Sequence, residues 1–232
     1  MDIKEIDIGL KKCREKLRNV QRSRVLENTN DRISIVKLLE QGSLDIAREK
    51  TRLLILKDYY IESLDIIEGY SDILQFRLKL WENSKNLVDD ISECQATILW
   101  SSKFISKDIS EIIPVSAAIK EKLDESIVKS ILENHHNVNE NVYKWLTVKE
   151  TEVPESLIER YLIEMAETYG ITSFSGKKDL VEKDSELLNK YWKRDDERVH
   201  VKAGIQRKSL VHSKTVDETI KDLDERVKAL KS

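Results

Sequence analysis

The 232-residue chain combines 40% apolar with 36% charged residues and contains only six Gly and two Pro. Because sheet proteins need many turns, this composition disfavours a β protein and predicts long helices joined by short loops. A net charge of −3 gives the whole molecule no strong preference for polyanions, and two cysteines are too few for a disulfide framework. The sequence shows no secretory signal and no apolar run that would span a bilayer, so we expect a cytoplasmic, all-helical protein.

Two long helices are predicted first. A periodic segment runs from about residue 8 to residue 41, and Gly42 marks its end because glycine adopts the left-handed conformation of a helix C-cap at low cost. A second, very apolar segment extends to about residue 83. Their short connection predicts a long antiparallel hairpin. The apolar stripe of the second helix is too wide for a two-stranded seam, so further helices must cover it.

Shorter helices are predicted next, at about 84–104 and 107–134, with Pro114 near the start of the second. A loop follows near 134–139. A compact helix then begins at Pro154 and ends at Gly170. The apolar residues that share one side of this helix are Ile158, Tyr161, Leu162, Met165 and Tyr169.

The C-terminal part divides into two segments. Residues 172–214 show no sustained period and predict a mobile tether, with room for one short helix at 187–192. Order returns at Thr215, which fits a capping box with Glu218, and apolar residues then repeat at heptad spacing. We therefore expect a helical domain at 1–171, a tether at 172–214 and a terminal helix at 215–232.

Residues that carry catalysis are hard to find in this chain. It has no glycine-rich phosphate loop, no zinc-protease motif and no nucleophile elbow. His135 and His136 are adjacent, a poor geometry for a shared metal ion, and Cys13 and Cys94 fit buried apolar positions better than nucleophiles. We expect no enzymatic activity, no metal and no cofactor.

The first helix carries a dense set of basic residues. Between residues 11 and 24 the only acid is Glu15, while an apolar seam is kept for packing. The residues that we call the basic face are Lys11, Lys12, Lys16, Arg18, Arg22 and Arg24. Such a surface attracts anionic lipid by about 1 kcal/mol per basic residue. The alternatives are a solvated face without function and a nucleic-acid site, which the overall acidity and the lack of a recognised motif disfavour.

The terminal helix has the pattern of a ligand that docks in a groove. Leu223, Val227 and Leu230 form one stripe at i, i+4 and i+7, with Arg226 at its edge. A core helix or a coiled-coil fragment would show a similar stripe. The position at the end of a long tether favours a ligand.

Three blocks of the sequence resemble the increased-sodium-tolerance family, a divergent branch of ESCRT-III. They are 42–74, then 96–112 with Leu99-Trp100, and 153–171 with its core Glu159–Glu164. The resemblance implies a hairpin covered by shorter helices and assembly with charged-multivesicular-body-protein subunits on endosomal membranes. It also implies regulation of an AAA ATPase that bears MIT domains, in endosomal sorting and membrane scission. The helix from Pro154 would be an autoinhibitory clasp formed by Ile158, Tyr161, Leu162, Met165 and Tyr169.

The C-terminus resembles a type 1 MIT-interacting motif, in which an acid is followed by spaced leucines, an arginine and a final lysine. Leu223, Arg226, Leu230 and Lys231 match by position, Val227 replaces a leucine, and Ile220 stands where the acid is expected. The resemblance implies that an MIT domain of the ATPase is bound by Leu223, Arg226, Val227, Leu230 and Lys231.

One alternative of a different class stays open. A dimeric long-helix module that senses membrane curvature, without an ATPase partner, would use the terminal helix in its coiled coil. Deletion of 215–232 would destabilise such a dimer but not a tethered ligand. The sequence leaves open whether the isolated protein is closed, which lipids it prefers, which ESCRT pathway it serves and which surface its ESCRT-III partner contacts.

Overall fold

Two long antiparallel helices, α1 (Ile3–Glu40) and α2 (Leu44–Phe76), form the hairpin of the computed structural model, which describes residues 3–82 and 91–185. The turn between them depends on Gly42, whose φ is 73°, in the left-handed region. The Ser43 N–H then donates to the Leu38 carbonyl at 2.9 Å, which satisfies a carbonyl that the helix end leaves free. The prediction that Gly42 ends the first helix and starts a hairpin is confirmed.

Shorter helices cover this hairpin. In chain order they are α3 (Leu78–Glu82), α4 (Ser92–Ile105), α5 (Ile112–Lys122), α6 (Glu125–Asn134), α7 (Glu140–Thr147), α8 (Glu155–Tyr169) and α9 (Lys178–Lys183). A single 3-10 turn, Glu150–Glu152, precedes α8. Helices α4, α7 and α8 pack on α2, while α5 and α8 also contact α1. The described part of the chain contains no strand, and the all-helical fold is confirmed.

The core lies between the hairpin and the covering helices. Trp81 and Trp100 are fully buried there, beside Leu64 and Ile67 of α2. Burial of each large apolar side chain contributes about 1.5–3 kcal/mol, so this packing stabilises α2 against the covering helices. The apolar stripe is therefore covered, as predicted.

Both cysteines are buried, which confirms their interpretation as small apolar residues. Burial raises the pKa of the Cys13 thiol to about 12 and that of Cys94 to about 11. A thiol with so high a pKa is a poor nucleophile at neutral pH.

One local prediction was wrong. The expected helix at 107–134 is two helices, because Leu123 is buried in an extended conformation (φ −92°, ψ 149°) and Asp124 starts α6. Pro114 does lie in the first turn of α5. Helix α7 falls where no helix was expected. The Asn139 side chain caps it by accepting from the N–H groups of Asn141 and Val142, at 3.0 and 3.1 Å.

The remaining predictions fall partly or wholly beyond the described residues. Of the helix predicted at 84–104, residues 84–90 lie outside them, and α4 begins at Ser92. The unit that contains the covering helices extends to Glu182, and α9 lies within the predicted tether. The short helix at 187–192 and the terminal helix at 215–232 lie outside the described residues. The domain boundaries at 171 and 214 stay predictions.

Candidate clasp and membrane-facing surfaces

Helix α8 is bounded by Pro154 at its start and by Gly170 at its end. Pro154 precedes its first turn, where the missing N–H costs nothing. Gly170 follows its last residue with a φ of 71°, and the Ile171 N–H donates to the Ala166 carbonyl at 2.8 Å. Between them, one face of the helix packs on α1 and α2 through Leu157, Ile158, Tyr161, Leu162 and Met165.

A partly buried ion pair joins α8 to the hairpin. The Glu159 side chain is 0% exposed, and its Oε1 accepts from Arg48 Nε at 2.6 Å. The hydrogen bond to Glu159 raises the pKa of the Arg48 guanidinium, which therefore stays charged. Removal of Arg48 would leave the buried Glu159 carboxylate without its charged partner, a change that costs about 3–5 kcal/mol where both partners are buried. The contact between α8 and the hairpin therefore combines apolar packing with an ion pair between two specific residues.

A second ion pair lies one turn away and is more exposed. Arg52 Nη2 donates to Glu155 Oε1 at 2.5 Å, and the Glu155 side chain is 53% exposed. This hydrogen bond raises the pKa of Arg52. Because solvent screens exposed pairs, its contribution is about 0–1 kcal/mol.

Asp58 of α2 links all three helices of the interface. Its Oδ1 accepts from Asn28 Nδ2 of α1 at 2.8 Å, and its Oδ2 accepts from Arg32 Nη2 at 2.6 Å. The Tyr161 hydroxyl of α8 donates to the same Oδ2 at 3.3 Å. Tyr161 therefore combines apolar burial with a polar contact to the hairpin.

The structure places four of the five predicted clasp residues in this interface. Ile158, Tyr161, Leu162 and Met165 are buried, whereas Tyr169 is 41% exposed. Tyr169 shares their side of the helix but lies in the last turn before Gly170. The helical period thus extended the packed face one turn too far towards the C-terminus. Tyr169 was predicted to belong to the clasp, but its side chain is exposed.

Sequence reasoning did not find the polar residues of the interface. Arg48 and Glu159 are 111 positions apart, and each stands beside apolar residues within its own helix. The only indication of such a contact in the sequence was a charged residue inside an apolar stripe. It could not identify the partner.

The structure divides the basic face into two groups. Three of its residues form ion pairs within the fold: Lys11 Nζ with Asp7 Oδ2 at 2.7 Å, Arg18 Nε with Glu68 Oε1 at 2.6 Å, and Arg24 Nη2 with Asp108 Oδ2 at 2.9 Å. The hydrogen bond from Lys11 also lowers the pKa of Asp7. Acidic residues of the same chain therefore partly neutralise these charges, which weakens their attraction to an anionic membrane.

The other group makes no ion pair with any residue that the structure describes. It consists of Lys12, Lys16 and Arg22, of which Lys12 and Arg22 are exposed. At 100° per residue these three project within about 120° of one another, on the side of α1 away from its buried seam. Ile8 and Leu26, 51% and 66% exposed, lie on the same side. The available basic surface is therefore narrower than predicted and is flanked by apolar side chains.

Asp108 anchors the turn between α4 and α5 to the hairpin. Its Oδ2 accepts from Arg24 Nη2 at 2.9 Å and from the Tyr60 hydroxyl at 3.0 Å. Burial alone would raise the pKa of Asp108, but the hydrogen bonds from Arg24 and Tyr60 lower it overall. Arg24 therefore holds this turn on the hairpin through Asp108, and that contact competes with binding to lipid headgroups.

The structure gives less information about the remaining candidate sites. Among residues 3–82 and 91–185, no three His, Cys, Asp or Glu side chains are arranged to hold a metal ion. His135 packs on Trp100 and Tyr143, with ring centroids 5.7 and 4.3 Å away.

Within residues 3–82 and 91–185, every helix is too short or too polar to cross a bilayer. Leu223, Arg226, Val227, Leu230 and Lys231 lie outside the described residues, so their MIT-binding role stays a prediction.

Comparison with known proteins supports the resemblance seen in the sequence. Residues 8–172 match the family Ist1, described as regulator of Vps4 activity in the MVB pathway. The vacuolar protein sorting-associated protein IST1 of Saccharomyces cerevisiae is 25% identical over 171 residues, which are 70% of this chain. The match spans only 56% of that relative's length.

A solved structure has the same fold. It is the crystal structure of the S. cerevisiae Ist1 N-terminal domain in complex with the Did2 MIM motif, with a TM-score of 0.67 and 24% identity. The likeness covers 73% of this chain and 93% of that domain. Since the family match extends over most of the chain and includes the hairpin and α8, this protein belongs to the Ist1 family of regulators of Vps4 activity in the MVB pathway.

Proposed function

We propose that this chain is a non-catalytic ESCRT-III-type assembly subunit. It co-assembles with charged-multivesicular-body-protein subunits on endosomal membranes and recruits and regulates the AAA ATPase that carries MIT domains. The family description as a regulator of Vps4 activity supports this role. The structural support is an ESCRT-III-like hairpin held under a docked helix.

The contact of α8 with the hairpin is the observation that carries the proposal. It joins an apolar face to an ion pair between the buried Glu159 and Arg48, and to Asp58, a residue shared with α1. Release of α8 would uncover hairpin surface of both helices. A closed subunit would thus become one that can bind its neighbours in a polymer.

Two further surfaces complete the proposed role. Lys12, Lys16 and Arg22 attract anionic lipid, at about 1 kcal/mol for each. The segment 215–232 binds an MIT domain through Leu223, Arg226, Val227, Leu230 and Lys231. The 31 residues from 184 to 214 separate α9 from this segment; a flexible chain of that length would have a mean span of roughly 30 Å, enough for this ligand to reach an ATPase while the domain stays in a polymer.

The S. cerevisiae Ist1 domain was crystallised with a MIM motif of Did2. By analogy, the folded domain of this chain would accept a helical MIM segment from an ESCRT-III partner. Its own terminal helix and its folded domain would then serve two different partners.

Reconstitution tests the proposal. The full chain would be mixed with anionic liposomes and a charged-multivesicular-body-protein subunit and imaged by electron microscopy, before and after the ATPase and ATP are added. We expect mixed polymers on the membrane that the ATPase dismantles. Polymers of the partner that exclude this chain, with unchanged disassembly, would contradict the proposal.

A further inference from the structure

The segment 173–177, which we call the strap, lies against α8 soon after that helix ends. Gly176 makes the first contact, in a left-handed conformation with a φ of 61°. A Cβ at this position would meet Ile163 Cγ1 at 2.5 Å and Cδ1 at 2.8 Å. Both the backbone angle and the close approach therefore require glycine.

The next residue makes the second contact. The Lys177 backbone N–H donates to Glu159 Oε2 at 3.1 Å. The other oxygen of this carboxylate, Oε1, accepts from Arg48 Nε at 2.6 Å. A single buried side chain of α8 thus joins the hairpin on one side and the strap on the other.

The strap also borders a cleft. The cleft has a volume of about 420 Å³ and is lined by Leu39, Gly42 and Leu44 near the hairpin turn and by Ser173, Phe174 and Ser175 of the strap. Gly176 and Lys177 line the same cleft and form the C-terminal end of the strap. That end leads directly into α9.

We propose that the strap is a latch on α8: Gly176 and Lys177 hold the helix on the hairpin, and α8 is released only after the strap lifts. The latch rests on the proposed function in treating α8 as releasable. It extends that function by placing a control element in residues that the sequence predicted to be tether. Loss of the Lys177 donor leaves the buried Glu159 carboxylate with one bond fewer, which favours the open state.

Hydrogen exchange measured by mass spectrometry on the isolated full-length chain tests the latch. Gly176→Ala disturbs the Ile163 contact, and Lys177→Pro removes the N–H that Glu159 accepts. A hydrogen bond to a buried charge shifts an equilibrium by roughly ten- to hundredfold. We therefore expect α8 amides to exchange about tenfold faster in both variants, with α4 amides unchanged.

Two matched controls accompany these variants. Gly69→Ala adds the same methyl group inside α2, where no atom beyond the adjoining residues and backbone of that helix lies within 4 Å of the new Cβ. Lys178→Pro places proline one residue later, at the first position of α9, and keeps the Lys177 N–H. Both should leave α8 exchange at the wild-type rate.

Faster exchange in the strap without faster exchange in α8 would overturn the latch, because the strap would then only rest on the helix. Unchanged exchange in both segments would overturn it too. The two test variants remove different contacts, so a folding defect in one, visible as faster α4 exchange, leaves the other to decide. If α8 loosens as expected but assembly with an ESCRT-III partner does not increase, the proposed function fails and the latch stands.

Discussion

Arg48 and Arg52, one helical turn apart on α2, bind two carboxylates of α8 that differ in their access to solvent. Arg48 meets Glu159, which is fully buried, and Arg52 meets Glu155, which is half exposed. The same type of ion pair thus occurs in two environments on one interface. The buried pair should determine how firmly α8 is held.

Replacement of these two arginines tests that difference. Arg48→Ala should lower the free energy of unfolding by about 3 kcal/mol, because Glu159 is left buried without its charged partner. Arg52→Ala should lower it by at most about 1 kcal/mol, because water solvates Glu155. Urea unfolding followed by circular dichroism measures both. Equal losses would show that burial of Glu159 does not decide the energy.

The apolar face of α8 gives a second prediction. Tyr161→Ala combined with Met165→Ala should promote assembly with an ESCRT-III partner on liposomes, since each lost contact removes about 1.5–3 kcal/mol from the closed state. Helicity should stay near that of the wild type. Tyr169→Ala, in the same helix but outside the packed face, is the matched control and should behave like the wild type. Sedimentation with liposomes and circular dichroism report the two properties, and global unfolding of the double variant would make α8 an ordinary core helix.

Membrane binding should depend on the basic residues that no described residue neutralises. Reversal of Lys12, Lys16 and Arg22 to Glu should reduce binding to anionic vesicles by more than tenfold, because about 1 kcal/mol of attraction per residue becomes repulsion. Reversal of Lys50, Lys120 and Lys129, three exposed lysines on α2, α5 and α6, changes the net charge equally and should have a smaller effect. Binding should also weaken as salt rises. Equal losses from the two triple variants would mean that net charge alone controls binding.

The terminal segment should account for binding to the ATPase. Leu230→Ala should weaken the affinity for an MIT domain by about 2 kcal/mol, roughly thirtyfold. Arg226→Ala should also weaken it and reduce its dependence on salt, as expected for a charge that meets an acidic groove edge. Isothermal titration calorimetry gives these affinities. The assignment fails if a chain ending at Lys214 binds as tightly as the full-length protein.

Asp108 should make stability depend on pH in the acid range. Its pKa is lowered in the folded state from the ordinary value of 3.8, so the unfolded chain takes up a proton first as the pH falls. The stabilisation is therefore complete well above pH 4 and is lost as the pH falls through the lowered pKa. The wild type should exceed Asp108→Asn in unfolding free energy at pH 7, and the difference should shrink towards pH 3. A difference that is constant between these pH values would exclude this titration.

The sequence by itself determined the hairpin, its turn and the position of α8. Each follows from local chemistry: Gly42 and Gly170 adopt conformations that other residues avoid, Pro154 tolerates a helix start, and the apolar periods require covering partners. The same periods overestimated the helix at 107–134. The buried, extended conformation of Leu123 depends on its neighbours in space.

The tertiary structure alone decided which charges are available. The spacing of basic residues in α1 does not reveal that Arg18 and Arg24 bind Glu68 and Asp108, residues remote in the chain, while Lys12 and Arg22 form no ion pair with a described residue. In the same way, Glu159 reads as one acid in an apolar stripe until Arg48 is brought within 2.6 Å of it. Helical periodicity is a property of one segment and can be read locally. Charge pairing depends on which segments meet, and only the fold decides that.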